Sequence, residues 1–282
     1  MYNSNSVWPP RAPAGFTLIE LMVVMLIIGL LASILVPSLG HVRESVKTSA
    51  SKTLIFTLEQ GLSMFRSDET LGNDFPPSRW PASGLMVGND DPYGSSGSGG
   101  NYVAWGTQTL VWAVVGAKLT GTHRFPITAG LLQAAYAGDG SVGARGPFVD
   151  PSKLEILRLD DAKCAANGKY DTAAVHVEAP VILDVFGMPI LYYKPDKGTT
   201  STAILDKLPR AHNAPFTEDP DASSISNLTT DQLYNDFFKD TRAAAWGNRP
   251  HNYDTFVLLG AGVDKKYGTA DDTANFPLNE LP

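Results

Sequence analysis

Phe16 to Leu39 is a run of about 24 residues with no basic side chain and a single carboxylate, Glu20. As an α-helix it is ~36 Å long, enough to cross the hydrocarbon core of a bilayer. An unpaired charge at that depth costs several kcal/mol, so an intramembrane carboxylate calls for a partner and a purpose. The rest of the chain has to be arranged around a membrane helix that carries such a group near its start.

Beyond Gly40 the pattern turns amphipathic. Val42, Val46, Ala50, Leu54, Leu58 and Leu62 recur at every fourth position, flanked by Ile55 and Phe65, while Arg43, Glu44, Lys47, Ser51 and Lys52 lie off the stripe. That spacing predicts one helix from Phe16 to about Arg66, half in membrane and half packed on a soluble body. Pro37 falls inside it and removes the amide that would bond to the Ser33 carbonyl, so a kink or local opening is expected there. Gly29 and Ser33 are small enough to let helices approach closely.

Met1 to Gly15 is polar, with Pro9, Pro10 and Pro13 and the one basic residue Arg11. It reads as a targeting segment rather than a helix. Gly15-Phe16-Thr17-Leu18-Ile19-Glu20 resembles the cleavage and methylation signature of type IV pilins and type II secretion pseudopilins, most closely the major pseudopilin. The resemblance implies that a prepilin peptidase cuts after Gly15 and methylates the new amino terminus at Phe16. Glu20 then becomes the fifth residue. In a helical stack of subunits, the amine of one copy could meet Glu20 of its predecessor and reward correct axial register. The leader departs from the family's usual pattern in being long, proline-rich and poor in Lys and Arg.

The remainder, 71–282, reads as a loop-rich body. Pro76, Pro77, Pro81 and the run Gly88 to Asn101 suggest a long loop, with short helices expected at Gln108–Gly116 and Leu131–Ala137. Gly138 to Gly143 has Gly-x-Gly-x-x-Gly spacing, but Gly146-Pro147 follows instead of a helix, so it reads as a turn. Asp150-Pro151 starts another turn. Val175–Val177 and Val181–Leu183 are strand candidates. Asp184 to Tyr193 looks like a tight turn into a strand, similar to a turn of the major pseudopilin, with Asp184, Gly187 and Pro189 in register and Phe186 for tryptophan. Thr229 to Gln232 reads as a capping box opening a helix whose apolar face is Leu233, Phe237, Phe238, Thr241 and Ala245. Phe256–Leu259 is expected as the final strand.

After that strand comes a loop, 260–275, carrying Asp264, Asp271 and Asp272 between glycines. Carboxylates and carbonyls in such a loop suit a hard cation that takes six to eight oxygens, calcium before magnesium. The loop is similar to the calcium-binding loop of major pseudopilins, with Asp264, Gly268, Thr269, Asp271 and Asp272 matching; Lys265 stands where glycine is usual. The expected ligands are the Asp264 and Asp272 side chains and the Leu259 carbonyl, with Asp271 as a further donor.

Other classes find little support. The net charge of −7 gives no footprint for nucleic acid. Cys164 is the single cysteine, so neither an intrachain disulfide nor a cysteine-based zinc site can form. The five histidines lack His-Glu-x-x-His spacing, and no Gly-x-Ser-x-Gly turn occurs. Asp160-Asp161 reads as a solvated turn. No enzyme is expected.

The expectation is an α+β pilin architecture: leader 1–15, helix 16–70 with its membrane part at 16–39, and a periplasmic body on a small antiparallel sheet. The function it implies is that of a type II secretion pseudopilus subunit in the bacterial inner membrane. Its partners would be copies of itself, the prepilin peptidase, the inner-membrane secretion platform and lipid, with structural calcium as cofactor. Two alternatives stay open: a type IV pilus subunit, and a membrane-anchored binding protein that forms no polymer.

Overall fold

A computed structural model describes residues 15–80, 104–116, 119, 121–122, 145–159, 161–167, 169, 179–198, 204–217, 224–242 and 249–278. The leader before Gly15, the Gly88–Asn101 loop, the Leu131–Ala137 helix, the Gly138–Gly143 turn, the Val175–Val177 strand, Asp160 and Ala245 lie outside the described residues. Two compact units are present, Met1–Val46 and Lys47–Pro282.

The expected long helix is α1, Leu18–Ser67. It stays helical through Pro37. Ser33 Oγ donates to the Leu30 carbonyl at 2.7 Å. Leu18–Val36 is apolar and long enough to span a membrane, and none of it is buried against protein.

The packed face of α1 differs from the stripe read in the sequence. Val42, Val46 and Ala50 are exposed, whereas Ser51, Ile55, Leu58, Gly61, Leu62 and Phe65 are buried. At 3.6 residues per turn each step of four overshoots by about 40°, so five steps rotate the stripe about halfway round the helix. A packed face needs mixed steps of three and four, and those run from Ser51 to Phe65.

Among the described residues the strands form three small antiparallel sheets rather than one. β1 (Arg79–Trp80) pairs β2 (Ala104–Trp105), and β3 (Glu155–Arg158) pairs β4 (Pro180–Leu183). β5 (Leu191–Tyr193), β6 (Val257–Gly260) and β7 (Thr273–Ala274) make the third, with β6 in the centre. β6 is therefore not the final strand. β7 has only two residues, too few for a period-two pattern to show.

Alternation along the strands divides the core in two. Tyr192, Leu258 and Ile182 join the α1 residues and α2 (Gly106–Val114), with Leu58 and Leu62 fully buried. Leu191, Tyr193, Val257 and Leu259 face the other way, with Tyr234, Phe237 and Phe238 of α3 (Asp231–Phe238). Each such large apolar side chain contributes ~1.5–3 kcal/mol by burial. Burial of every α2 residue demands internal partners for its polar groups. Trp105 N–H donates to Gln108 Oε1, and Thr107 N–H donates to Asn213 Oδ1.

The cap of α3 is one residue later than expected. Thr230, not Thr229, accepts the Leu233 amide, at 3.3 Å. Asp231 then falls in the first turn and pairs with Arg210 at 3.2 Å. The helix ends at Phe238, so Thr241 lies beyond its apolar face. The architecture is α+β, a long N-terminal helix with further helices and small antiparallel sheets, consistent with a pilin-like fold.

Candidate functional site

Two groups of residues carry the chemistry read from the sequence, one in each compact unit. In the first, Gly15 and Phe16 precede α1 and are exposed, Phe16 at 86%. Thr17 caps the helix. Glu20 Oε2 accepts from the Thr17 amide and from Thr17 Oγ1, both at 2.8 Å, and Thr17 Oγ1 accepts the Glu20 amide at 3.3 Å. This is a capping box, Thr17-x-x-Glu20, in which each side chain satisfies the other's backbone amide. A carboxylate in the first turn also meets the positive end of the helix dipole. Glu20 thus has a partner within its own helix, which the sequence reading overlooked although Thr17 stands three residues before it. Pro37 lies within the same helix, well beyond this first turn.

In the second unit the acidic loop joins β6 to β7. Oxygens of Asp264, Asp271 and Asp272 lie within 4.8 Å of one another. Asp271 Oδ2 accepts the Val263 and Asp264 amides at 2.6 and 3.0 Å. Asp272 Oδ2 accepts the Gly268 amide at 2.7 Å and the Thr269 amide at 3.3 Å. Thr269 Oγ1 reaches oxygens of both Asp271 and Asp272, at 2.8 and 3.1 Å. Asp264 is exposed, and its Oδ1 accepts the Lys266 amide at 2.8 Å. Asp272 is buried, and burial, with the charge of Asp271 beside it, pushes its carboxyl up to about 8.

The loop's backbone explains its glycines and its one irregularity. A Cβ on Gly262, at φ 66°, would lie 2.4 Å from the Asp271 carbonyl oxygen. Lys265 sits at φ 61°, a left-handed conformation that glycine adopts without steric cost and lysine does not. Leu259 lies in β6 between Leu191 and Ala274.

The turn at Asp184 and the acidic loop, read separately in the sequence, meet in the structure. Tyr267 Oη donates to the Pro189 carbonyl. Asp184 lies beside Gly260, whose added Cβ would be 3.4 Å from Asp184 Oδ2. Asp184 is itself a turn-former, its Oδ1 accepting the Phe186 and Met188 amides, both at 2.9 Å.

Each carboxylate of the loop keeps lone pairs beyond those used by amides. Three of them within 4.8 Å of one another make a donor set of hard oxygens, and Asp272 carries a burial cost that a cation would offset. The residues present therefore fit a calcium ion.

Comparison with known proteins places the N-terminal part. Residues 10–36 match the family model described as the prokaryotic N-terminal methylation motif. The chain is 41% identical over 61 residues to type II secretion system core protein G of Vibrio cholerae, covering 22% of this chain and 42% of that protein. To the protein of the same name in Aeromonas hydrophila it is 41% identical over 76 residues, covering 27% and 51%. For Escherichia coli the figures are 44% over 54 residues, 19% and 37%. The chain thus spans about half or less of the length of these relatives, and the similarity lies in its N-terminal part. Their shared name is that of a secretion-system core protein, not of an enzyme. No solved structure matches the chain.

Proposed function

We propose that the chain is a pseudopilin subunit of a type II protein secretion system, held in the inner membrane by Leu18–Val36 and assembled from there into a filament. The observation that carries this reading is the exposed apolar helix that begins two residues after Phe16 and holds one carboxylate, Glu20. The methylation motif over 10–36 and the identity to core protein G support it. On this reading a prepilin peptidase removes 1–15 and methylates Phe16, and the body, with its acidic loop, is periplasmic. Copies of the chain, other pseudopilins and the inner-membrane platform are its partners.

Calcium is the cofactor proposed for the loop, with the Asp264, Asp271 and Asp272 side chains as ligands and the Leu259 carbonyl as a further donor. The ion would tie β6 to β7 by bridging the two ends of the loop. It would supply structure rather than chemistry.

Capping by Thr17 favours a second reading. A carboxylate satisfied inside its own helix does not require a neighbour's amine, as a non-polymerising membrane anchor would also allow. Co-expression with a prepilin peptidase and mass spectrometry of the purified chain tests the first step. A mature chain beginning at Phe16 and heavier by one methyl group is expected; a chain retaining 1–15 would overturn the reading. Crosslinking of membranes that contain the secretion machinery then separates a filament, seen as a ladder of multimers, from an anchored monomer.

A further inference from the structure

A pocket of about 480 Å³ lies between the segment before β1, the loop after β5 and the 3-10 turn Arg210–Asn213. That volume is within the range of small-ligand sites. Its walls are tied to β5. Tyr192 Oη donates to the Pro76 carbonyl at 2.6 Å, Lys194 Nζ donates to the Phe75 carbonyl at 3.1 Å, and Asn213 Nδ2 donates to the Tyr192 carbonyl at 2.9 Å. Three segments distant in the chain are thereby held in fixed relation, which limits the ordering cost of binding.

The lining is cationic in a chain of net charge −7: Arg79, Lys194 and Lys197 face Asp74 and Asp196, an excess of one positive charge. Two of these cations are engaged. Lys194 pairs with Asp74, and Lys197 lies 3.5 Å from Asp254 Oδ1. Arg79 is not. It stands opposite Trp105 across the β1–β2 ladder and lays its guanidinium over that ring at 5.6 Å. Its Nε is buried with no hydrogen-bond partner among the described residues. A buried donor of this kind, on a charged group, costs stability unless something fills it.

Beside it, Ser78 Oγ and His212 Nδ1 are hydrogen-bonded at 2.6 Å. Burial and the charge of Arg79 bring His212 down to about 4, so the imidazole is neutral near pH 7. When Ser78 donates to Nδ1, Nε2 carries the remaining proton and is a neutral donor.

We propose that this pocket binds a small monocarboxylate, its oxygens taken by the Arg79 fork, with the Ser78–His212 pair as a neutral neighbour. The planar guanidinium matches a carboxylate in geometry. A monocarboxylate adds one negative charge beside Arg79, whereas a phosphate dianion would add two beside Asp74 and Asp196. This site shares no residue with the acidic loop.

The test is a titration of the full chain in detergent micelles at constant ionic strength, followed through arginine Nε–H resonances assigned with Arg79→Gln. Sodium propionate is expected to shift the Arg79 resonance saturably in the millimolar range, and inorganic phosphate to leave it unsaturated. Ser78→Ala, which removes a hydroxyl lining the pocket, should weaken propionate about tenfold. Lys153→Gln, on an exposed residue outside the pocket, should leave it unchanged. The absence of a saturable propionate shift, equal binding of phosphate, or unaltered binding in Ser78→Ala would each overturn the assignment. A circular dichroism melt of each variant separates lost binding from lost folding, and Lys197→Gln, expected to weaken binding through its charge, serves if Ser78→Ala melts early.

Discussion

Ser51 Oγ and Thr273 Oγ1 share a buried hydrogen bond of 3.2 Å between α1 and β7, across 222 residues of chain. Thr273 directly follows Asp272, so the end of the acidic loop is fastened to α1 at Ser51. Thr273→Val keeps the shape of the side chain but leaves the Ser51 hydroxyl buried alone. The expected cost is ~1–3 kcal/mol, and Ser51→Ala in the same chain should recover part of it. A melting series of the two single variants and the double variant measures the coupling; strictly additive losses would mean that the bond contributes nothing.

Thr17→Val removes the hydroxyl that accepts the Glu20 amide and donates to Glu20 Oε2, while the residue 17 backbone amide can still donate to that carboxylate. Helix N-caps of this kind contribute ~1 kcal/mol, so faster amide exchange is expected at 18–20 in micelles. Thr17→Ser should restore protection. If Thr17→Val exchanges like the parent chain, the capping box does not hold Glu20.

At Gly61 propensity and packing disagree. Alanine is favoured over glycine within a helix by ~1 kcal/mol. A Cβ there would, however, lie 2.5 Å from Val149 Cγ2 and 3.4 Å from Val114 Cγ1. Gly61→Ala is expected to lower the melting temperature, because overpacking costs ~1–3 kcal/mol. Val149→Ala added to it should bring the temperature back up, an outcome that a pure propensity effect would not produce.

Two buried groups pull stability in opposite directions with pH. Burial raises Asp184 to about 6, against the backbone amides that bond to it. The folded state therefore holds its proton more tightly than the unfolded chain, and its contribution, full below the ordinary value of 3.8, is lost as pH rises through about 6. His212, lowered to about 4, contributes fully above 6.5 and loses that contribution as pH falls through about 4. Each amounts to roughly 3 kcal/mol at ~1.4 kcal/mol per unit. Between pH 4 and 6 they should nearly cancel. Asp272, raised to about 8, loses its contribution with rising pH in every variant; relative to the parent chain, therefore, the melting temperature of Asp184→Asn should rise from pH 4 to 6.5, and that of His212→Gln should fall. Parallel profiles in the two variants would show that neither group governs the dependence.

For the acidic loop, calcium should raise the melting temperature of chelator-treated protein and magnesium should do so less. A site that binds only the folded chain adds ~2.7 kcal/mol at a hundredfold excess over its dissociation constant. Asp264→Asn and Asp271→Asn should reduce the increment without greatly changing the melt in chelator. An unchanged melting temperature on adding calcium to the parent chain would remove the proposed site.

The residues from Phe16 to Ser67 made the helix legible in the sequence, because hydrophobicity, length and the lone Glu20 are local properties. The turn at Asp184, the strand after it and α2 were legible for the same reason, each being signalled by a short run of its own residues. Position on a surface was not local. Which side of α1 is packed, from Ser51 to Phe65 rather than along every fourth residue, followed from where α2 and the strands lie against it. The short β7, the three sheets in place of one and the meeting of the Asp184 turn with the acidic loop likewise depend on residues far apart in the chain. So does the pocket around Arg79, whose lining comes from segments more than a hundred residues apart. Sequence by itself determined a membrane helix with a signature at its start and a loop of hard oxygen donors near its end. Tertiary structure decided which of these groups are partnered, since desolvation and hydrogen bonding depend on neighbours that only the folded chain supplies.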